Sequence, residues 1–121
     1  MLNDEIDNGE YLFRGIVVQN WDFENDRPTS ATFKDSKGVS VDREGGRLEA
    51  DCIEMLKSVN NFFAICKVLT KDVRDLNAVV FCKPIKGNNY HSEIHDSNER
   101  IQMRGKKPRM IREKSLVIYR R

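Results

Sequence analysis

Two nearly continuous apolar runs, Phe62-Phe63-Ala64-Ile65-Cys66-Lys67-Val68-Leu69 and Ala78-Val79-Val80-Phe81-Cys82, constrain this chain most. Each has the length of a single strand and is rich in β-branched and aromatic residues, without polar alternation. That pattern suits strands buried on both faces and predicts that the two runs form the centre of a sheet. The stretch joining them is short for a parallel crossover, so strand direction stays open at this level. Within it, Thr70 is placed to cap one helical turn through Leu76. Pro84, which lacks a backbone donor, helps end the second run.

The remaining elements follow from periodicity. Tyr11-Leu12-Phe13-Arg14-Gly15-Ile16-Val17-Val18 has strand composition interrupted by Arg14, and a polar loop pinned by Trp21 follows. Val39 and Val41 alternate with Ser40 and Asp42, which puts the valines on one face of a strand and the two polar side chains on the other. Only residues 46–59 change to a helical period, with Leu48, Cys52, Met55, Leu56 and Val59 on one stripe and Glu49 and Asp51 near the positive end of the helix dipole. A short strand through residues 91–95 is expected, Gly105-Lys106-Lys107-Pro108 breaks regular structure, and residues 115–119 read as a last strand. The sum is a compact α+β domain, a mixed sheet of about five or six strands with one main helix. Its 121 residues suit one core, with residues 1–9 as a flexible acidic N-terminus and 10–121 as a single domain ending in a basic segment, 98–121.

Hydrophobic residues make up 39% and charged residues 33% of the chain. No apolar run approaches the roughly 20 residues of a bilayer-spanning helix, so no membrane association is expected. The acidic start lacks the basic, then apolar, pattern of a secretory signal, which points to a cytoplasmic location. Cys52, Cys66 and Cys82 form an odd set without a Cys-x-x-Cys pair, the usage of buried reduced thiols. The net charge of +2 is unevenly spread: residues 98–121 carry nine Lys or Arg against two Glu. Such a basic segment is either a solvated end or a surface that meets phosphate, with Lys106, Lys107 and Arg109 as the nucleic-acid contacts.

Polar chemistry concentrates in Arg27-Pro28-Thr29-Ser30-Ala31-Thr32-Phe33, in Val39-Ser40-Val41-Asp42-Arg43 and in Asn88-Asn89-Tyr90-His91-Ser92-Glu93. Arg27 and Arg43 suit bidentate recognition of phosphate or carboxylate, with Thr29, Ser30 and Ser40 as short hydroxyl partners. The plainer account is a hydroxyl-capped turn at Pro28, Thr29 and Ser30, and an aspartate paired with an arginine. His91 is the candidate general acid or base, with Asp42 and Ser40 as its catalytic company and Glu93 on the same strand face to orient it. His95 lies about 13 Å along an extended chain from His91, too far to share one metal ion, so no metal site is expected. Arg14, followed by Gly15, is either a ligand-reaching arginine or a solvated edge-strand one.

The three segments, in that order, resemble a family of small uncharacterised bacterial proteins carrying Arg-Pro-Ser-Ser, Leu-Ser-Val-Asp and Asn-Pro-x-His segments, with departures at Thr29 and Tyr90. The resemblance covers residues 11–96 and implies that the segments belong together; it brings no activity with it. Arg14, Ser40 and Glu93 also bear a fainter similarity to ADP-ribosyltransferase-like toxins. That similarity implies a strand arginine, a serine strand and a later glutamate around nicotinamide dinucleotide, although the Ser-Thr-Ser and Glu-x-Glu signatures are absent. The expectation is a small intracellular domain recognising a phosphate-containing ligand, nucleotide or nucleic acid, and processing it by phosphodiester or nucleotide transfer, with no cofactor. The alternatives are a non-catalytic protein-interaction module and an NAD-using transferase.

Overall fold

The apolar and alternating runs all become strands. In the computed structural model, which describes residues 2–121, the chain forms β1 (Tyr11–Ile16), the short β2 (Trp21–Asp22) and β3 (Arg27–Pro28), β4 (Val39–Arg43), α1 (Glu49–Val59), β5 (Ala64–Leu69), α2 (Thr70–Asp75), β6 (Val79–Cys82), β7 (His91–His95), α3 (Lys107–Lys114) and β8 (Leu116–Arg120). Six strands build one sheet in the order β6-β7-β4-β1-β5-β8, and β2 pairs with β3 as a separate ribbon. Every pairing is antiparallel, which settles the direction that the sequence left open. The fold is therefore α+β. Among the described residues no helix is long and apolar enough to cross a membrane.

The sheet has two unlike faces. On one, Leu12, Ile16, Val39, Val41, Ala64, Cys66, Val68 and Ile94 pack under Trp21 and Phe33 of the 17–38 segment, Val73 of α2, and Met103 and Ile111 around α3. On the other, Phe13 and Ile65 pack with Cys52 and Leu56 of α1, flanked by the partly buried Tyr11, Ile53, Phe62, Ile118 and Tyr119. Strand alternation puts Ser40 and Asp42 on this second face, beside His91 and Glu93 of β7. Because α1 sits over β1 and β5, the β4–β7 half of that face is left without a helix across it.

Several expectations need correction. β6 is an edge strand, not a central one; its residues are all half-buried, and a continuous apolar run does not distinguish the two positions. Thr70 does not cap α2: Leu69 holds that position, and the Thr70 hydroxyl instead donates to the Glu10 carbonyl at 2.6 Å. The Gly105-to-Pro108 break starts a helix, since proline is tolerated in the first turn, where its missing N–H has no partner to lose. On α1 only Cys52 and Leu56 are buried, whereas Leu48 and Val59 at its ends are exposed. The acidic N-terminal segment is packed rather than free: Ile6 is 2% exposed, and the Arg43 guanidinium donates to the Asn3 and Glu5 carbonyls.

The cysteines are free, as their number and spacing imply. Cys52 and Cys66 are buried, and burial pushes the Cys66 thiol up to about 12. Trp21 is buried and stacks at 5.3 Å against Phe63, so it pins the loop that carries β2 and β3.

Candidate functional site

The site begins where β1 and β4 part. β1 pairs with β5 along six residues, but with β4 only at Leu12↔Arg43 and Phe13↔Asp42. Beyond Phe13 the strands splay, and Arg14 fills the gap. Its Nε donates to the Thr32 carbonyl at 3.1 Å and its Nη1 to the Ser40 carbonyl at 2.8 Å, a side-chain substitute for strand pairing. Burial lowers the pKa of this guanidinium. Arg14 is thus neither a solvated edge residue nor a free ligand arm; β1 lies inside the sheet and both interactions go to backbone.

Gly15 follows on the opposite face, and a Cβ there would lie 2.4 Å from Cε2 of Phe62. Only glycine lets that ring lie against the strand. Phe62, Leu56 and Val59 make one wall of a cleft of about 380 Å³, the Ile85–Asn88 turn makes the other, and Ser40, Asp42 and His91 line its base. The turn closes through mutual Ile85–Asn88 backbone bonds of 3.1 and 2.9 Å, with Gly87 at φ 85°, the conformation a type II turn demands at its third position.

Asp42 and His91 are directly opposed on β4 and β7. The Arg43 N–H bonds the Tyr90 carbonyl at 2.8 Å, so the next pair along, Asp42–His91, is of the close, non-hydrogen-bonded kind. Asn88 donates to Asp42 Oδ1 at 2.9 Å and is itself oriented by accepting from the Tyr90 N–H at 2.9 Å. His91 Nδ1 meets the Lys83 carbonyl at 2.8 Å. A carbonyl only accepts, so Nδ1 carries a proton toward it. Asp42 Oδ2 has no partner, although the residue is only 3% exposed.

Three residues singled out from the sequence, Ser40, Asp42 and His91, therefore meet in one cleft, bordered also by Arg14. The others do not join them. Arg43 points to the opposite face, where Glu10 takes its Nε at 2.7 Å and its Nη2 at 2.9 Å. Burial opposes ionisation of Glu10, but the bonds from Arg43 and the Gly45 N–H outweigh it and hold that carboxyl below its ordinary range. Arg27 is exposed on β3, 4.0 Å from Glu113. Thr29 precedes a 3-10 turn without capping it, and its hydroxyl is buried without a partner. Glu93 does not orient His91: it bonds Nε2 of His95 at 2.9 Å, and the His95 ring packs on Phe81 at 4.9 Å. Glu93 and Arg14, the outer members of the transferase-like set, are thus both engaged by partners within the fold.

Ser30 and Arg109 meet elsewhere. They line a second pocket, of about 410 Å³, with Lys34, Arg100, Gln102 and Arg104, where the 3-10 turn at Ser30–Phe33 packs against α3. None of the four cations forms an ion pair among the described residues, and no carboxylate lines the pocket. Lys107 is excluded from it, because its ammonium donates to the Asn77 and Asp96 carbonyls and pairs with the Asp96 carboxylate at 3.1 Å. Lys106 stands exposed at the start of α3 and does not line it either. Sequence reasoning misses Lys34, Arg100 and Arg104; the surplus of basic residues in 98–121 is the available sign for the two arginines, and nothing local marks Lys34. The two pockets share no lining residue.

No family model matches the chain, and no curated protein or solved structure matches it.

Proposed function

We propose that the protein recognises a phosphate-containing ligand, a nucleotide or nucleic acid, through the pocket lined by Ser30, Lys34, Arg100, Arg104 and Arg109. The observation that carries this reading is the convergence of four unpaired cations on one concavity without a carboxylate. Like charges brought together repel, and ordinary surfaces relieve this by interspersing acids; an anion that bridges them relieves it here. Arginine guanidinia also present donors in a fork that fits phosphate oxygens.

Binding rather than turnover is what this geometry supports. The pocket has no histidine or carboxylate to move a proton. His91 belongs to the other cleft, so phosphodiester transfer has no general base at the phosphate site. A protein-interaction module with an acidic partner is the second reading, and the same four cations would serve it.

The test is titration of a fluorescein-labelled single-stranded RNA and of ADP against the protein over a range of salt. The triple variant Arg100→Glu, Arg104→Glu, Arg109→Glu is expected to weaken binding and to flatten the salt dependence, by roughly 0.7 in slope for each single-strand phosphate no longer neutralised. These side chains are exposed, so folding should survive. Equal binding and equal salt slope in the variant would remove the pocket from phosphate recognition.

A further inference from the structure

The basic pocket lies at the start of α3, where charge is arranged against the usual preference. A helix stabilises negative charge at its N-terminus and commonly carries Asp or Glu there. α3 has no acid in its first turn; Lys106 holds the cap position, and Lys107 and Arg109 follow. Asp96 offsets Lys107 with an ion pair of 3.1 Å, but Arg109 stays unpaired and shares the pocket lining with Arg104, Arg100 and Lys34. The nearby acids are engaged elsewhere or stand outside the lining. Glu113 pairs with Arg112 at 2.7 Å, Asp35 accepts from the Lys37 N–H at 2.8 Å, and Glu99 is exposed beyond the pocket. The loop that carries Arg100 and Arg104 is held in place. Met103 is buried in the core, Arg104 N–H donates to Asp96 Oδ1 at 2.9 Å, and Arg100 N–H donates to Ser97 Oγ at 3.0 Å. Gly105, at φ 59°, turns this loop into the helix. Among the described residues the backbone N–H groups of Gly105 and Arg109 have no partner within the fold, and both residues line the pocket.

We infer that this pocket takes the oligophosphate end of its ligand, a diphosphate or triphosphate group, and reads neither the base nor the internal phosphodiesters of a strand. The inference rests on the phosphate reading above and narrows it. Charge density separates the two kinds of phosphate. Internal phosphodiesters bring one charge per nucleotide, spread along the strand, and the surfaces that follow them are grooves with aromatic side chains on which bases stack. Here the cations converge on one concavity, and no aromatic side chain lines it. A terminal oligophosphate instead gathers several charges and many acceptor oxygens into a short chain. The pocket answers it with donors alone on its side chains apart from the Ser30 hydroxyl and the Gln102 amide, which both donate and accept, and it adds the positive end of α3. The cavity of about 410 Å³ has room for more than one phosphoryl group. The same group ends a nucleoside triphosphate, a 5′-triphosphorylated RNA and an inorganic polyphosphate, so the shared chemistry defines the ligand.

The test compares ends on one strand. A single-stranded RNA labelled at its 3′ end is made with a 5′-triphosphate and with a 5′-hydroxyl, and both are titrated without divalent cations so that the bare anion is read. The triphosphate form should bind roughly tenfold or more tightly, the worth of at least one charge-assisted hydrogen bond. As competitors, ATP should exceed AMP by a similar factor, and inorganic tripolyphosphate should match ATP, because no base is read. The source follows from the order of affinities: 5′-triphosphate RNA well above ATP supports a nucleic-acid end, and equal affinities support a free nucleotide or inorganic chain. Arg104→Gln combined with Arg109→Gln, both at exposed positions, should erase the preference for the triphosphate end while the urea midpoint stays unchanged. Equal binding of the two RNA ends, AMP matching ATP, or a preference that survives the double variant would overturn the inference. Phosphate recognition by the pocket would still stand in those cases as long as the triple glutamate variant loses binding, so the two failures are told apart.

Discussion

Asp42 and Arg43 are neighbours on β4, each 3% exposed and each charged, yet they face opposite sides of the sheet and end in opposite conditions. Arg43 is surrounded: Glu10 accepts from Nε and Nη2, the Glu5 carbonyl also accepts from Nη2, the Asn3 carbonyl accepts from Nη1, and Cys82 lies 3.8 Å from Nη1. Asp42 has one donor and one bare oxygen. A buried charge whose hydrogen-bonding capacity is filled by its own chain has no capacity left for a ligand. One left partly unfilled holds an interaction in reserve. The difference separates a structural charge from a candidate binding group within a single dipeptide, where residue type alone treats both as site residues.

The largest effect should come from breaking the filled member. Arg43→Ala removes the cation that Glu10 faces and the donors for the N-terminal carbonyls, and is expected to lower stability by about 3 kcal/mol, the lower end for a broken buried pair because Glu10 regains some water. A fall in the urea midpoint of the transition measures it. The pair also sets a pH signature. Glu10 titrates below its ordinary range in the folded protein, so its contribution is complete above the unfolded-state pKa. It is lost as pH falls through the lower native value. Wild-type stability should therefore decline on acidification through that interval, and Arg43→Ala should lack this component. An equal acid-induced decline in both proteins would deny the pairing its stabilising role.

How far these two roles can be read from residues alone depends on the range of the interactions. The facing of Ser40 and Asp42 follows from a period of two, and β7 falls on the residues expected of it, so the meeting of β4 with the His91 segment is within reach of the sequence. The partners of Arg43 are not, because Glu10 and Asn3 lie 33 and 40 residues away and nothing local marks them. α3 is hidden because a proline reads as a breaker, when in a first turn it is permissive. The basic pocket needs that helix in place: only its packing on the Ser30–Phe33 turn brings Lys34 within range of Arg100, Arg104 and Arg109. Strand alternation is local and legible; the choice between edge and centre, and the pairing of distant charges, belong to tertiary structure.

A smaller effect should follow from altering the wall of the cleft rather than its charge. Gly15→Ala puts a methyl group where Phe62 now lies, at 2.4 Å, so the half-buried ring must swing toward the cleft. Overpacking of this kind is expected to lower stability by about 1–3 kcal/mol. The urea midpoint of the variant checks it. Unchanged stability would show that the Phe62 ring moves aside at no cost.

The smallest stability effect is expected at Asp42 itself, and its size is what sharpens the comparison. Asp42→Asn keeps the shape and an oxygen able to accept from Asn88, while it removes a buried charge that lacks a full set of donors. Replacing an incompletely satisfied buried ion by a neutral isostere leaves stability within about 1 kcal/mol of the parent, and often raises it. Urea unfolding of Asp42→Asn beside Arg43→Ala therefore measures the contrast directly. If the asparagine variant loses as much as the alanine one, Asp42 is as fully engaged in the fold as its neighbour, and the bare oxygen has a partner within the folded chain. If stability is kept or gained, the dipeptide divides its labour: Arg43 ties the N-terminal segment to the sheet, and Asp42 keeps an acceptor at the base of an apolar cleft.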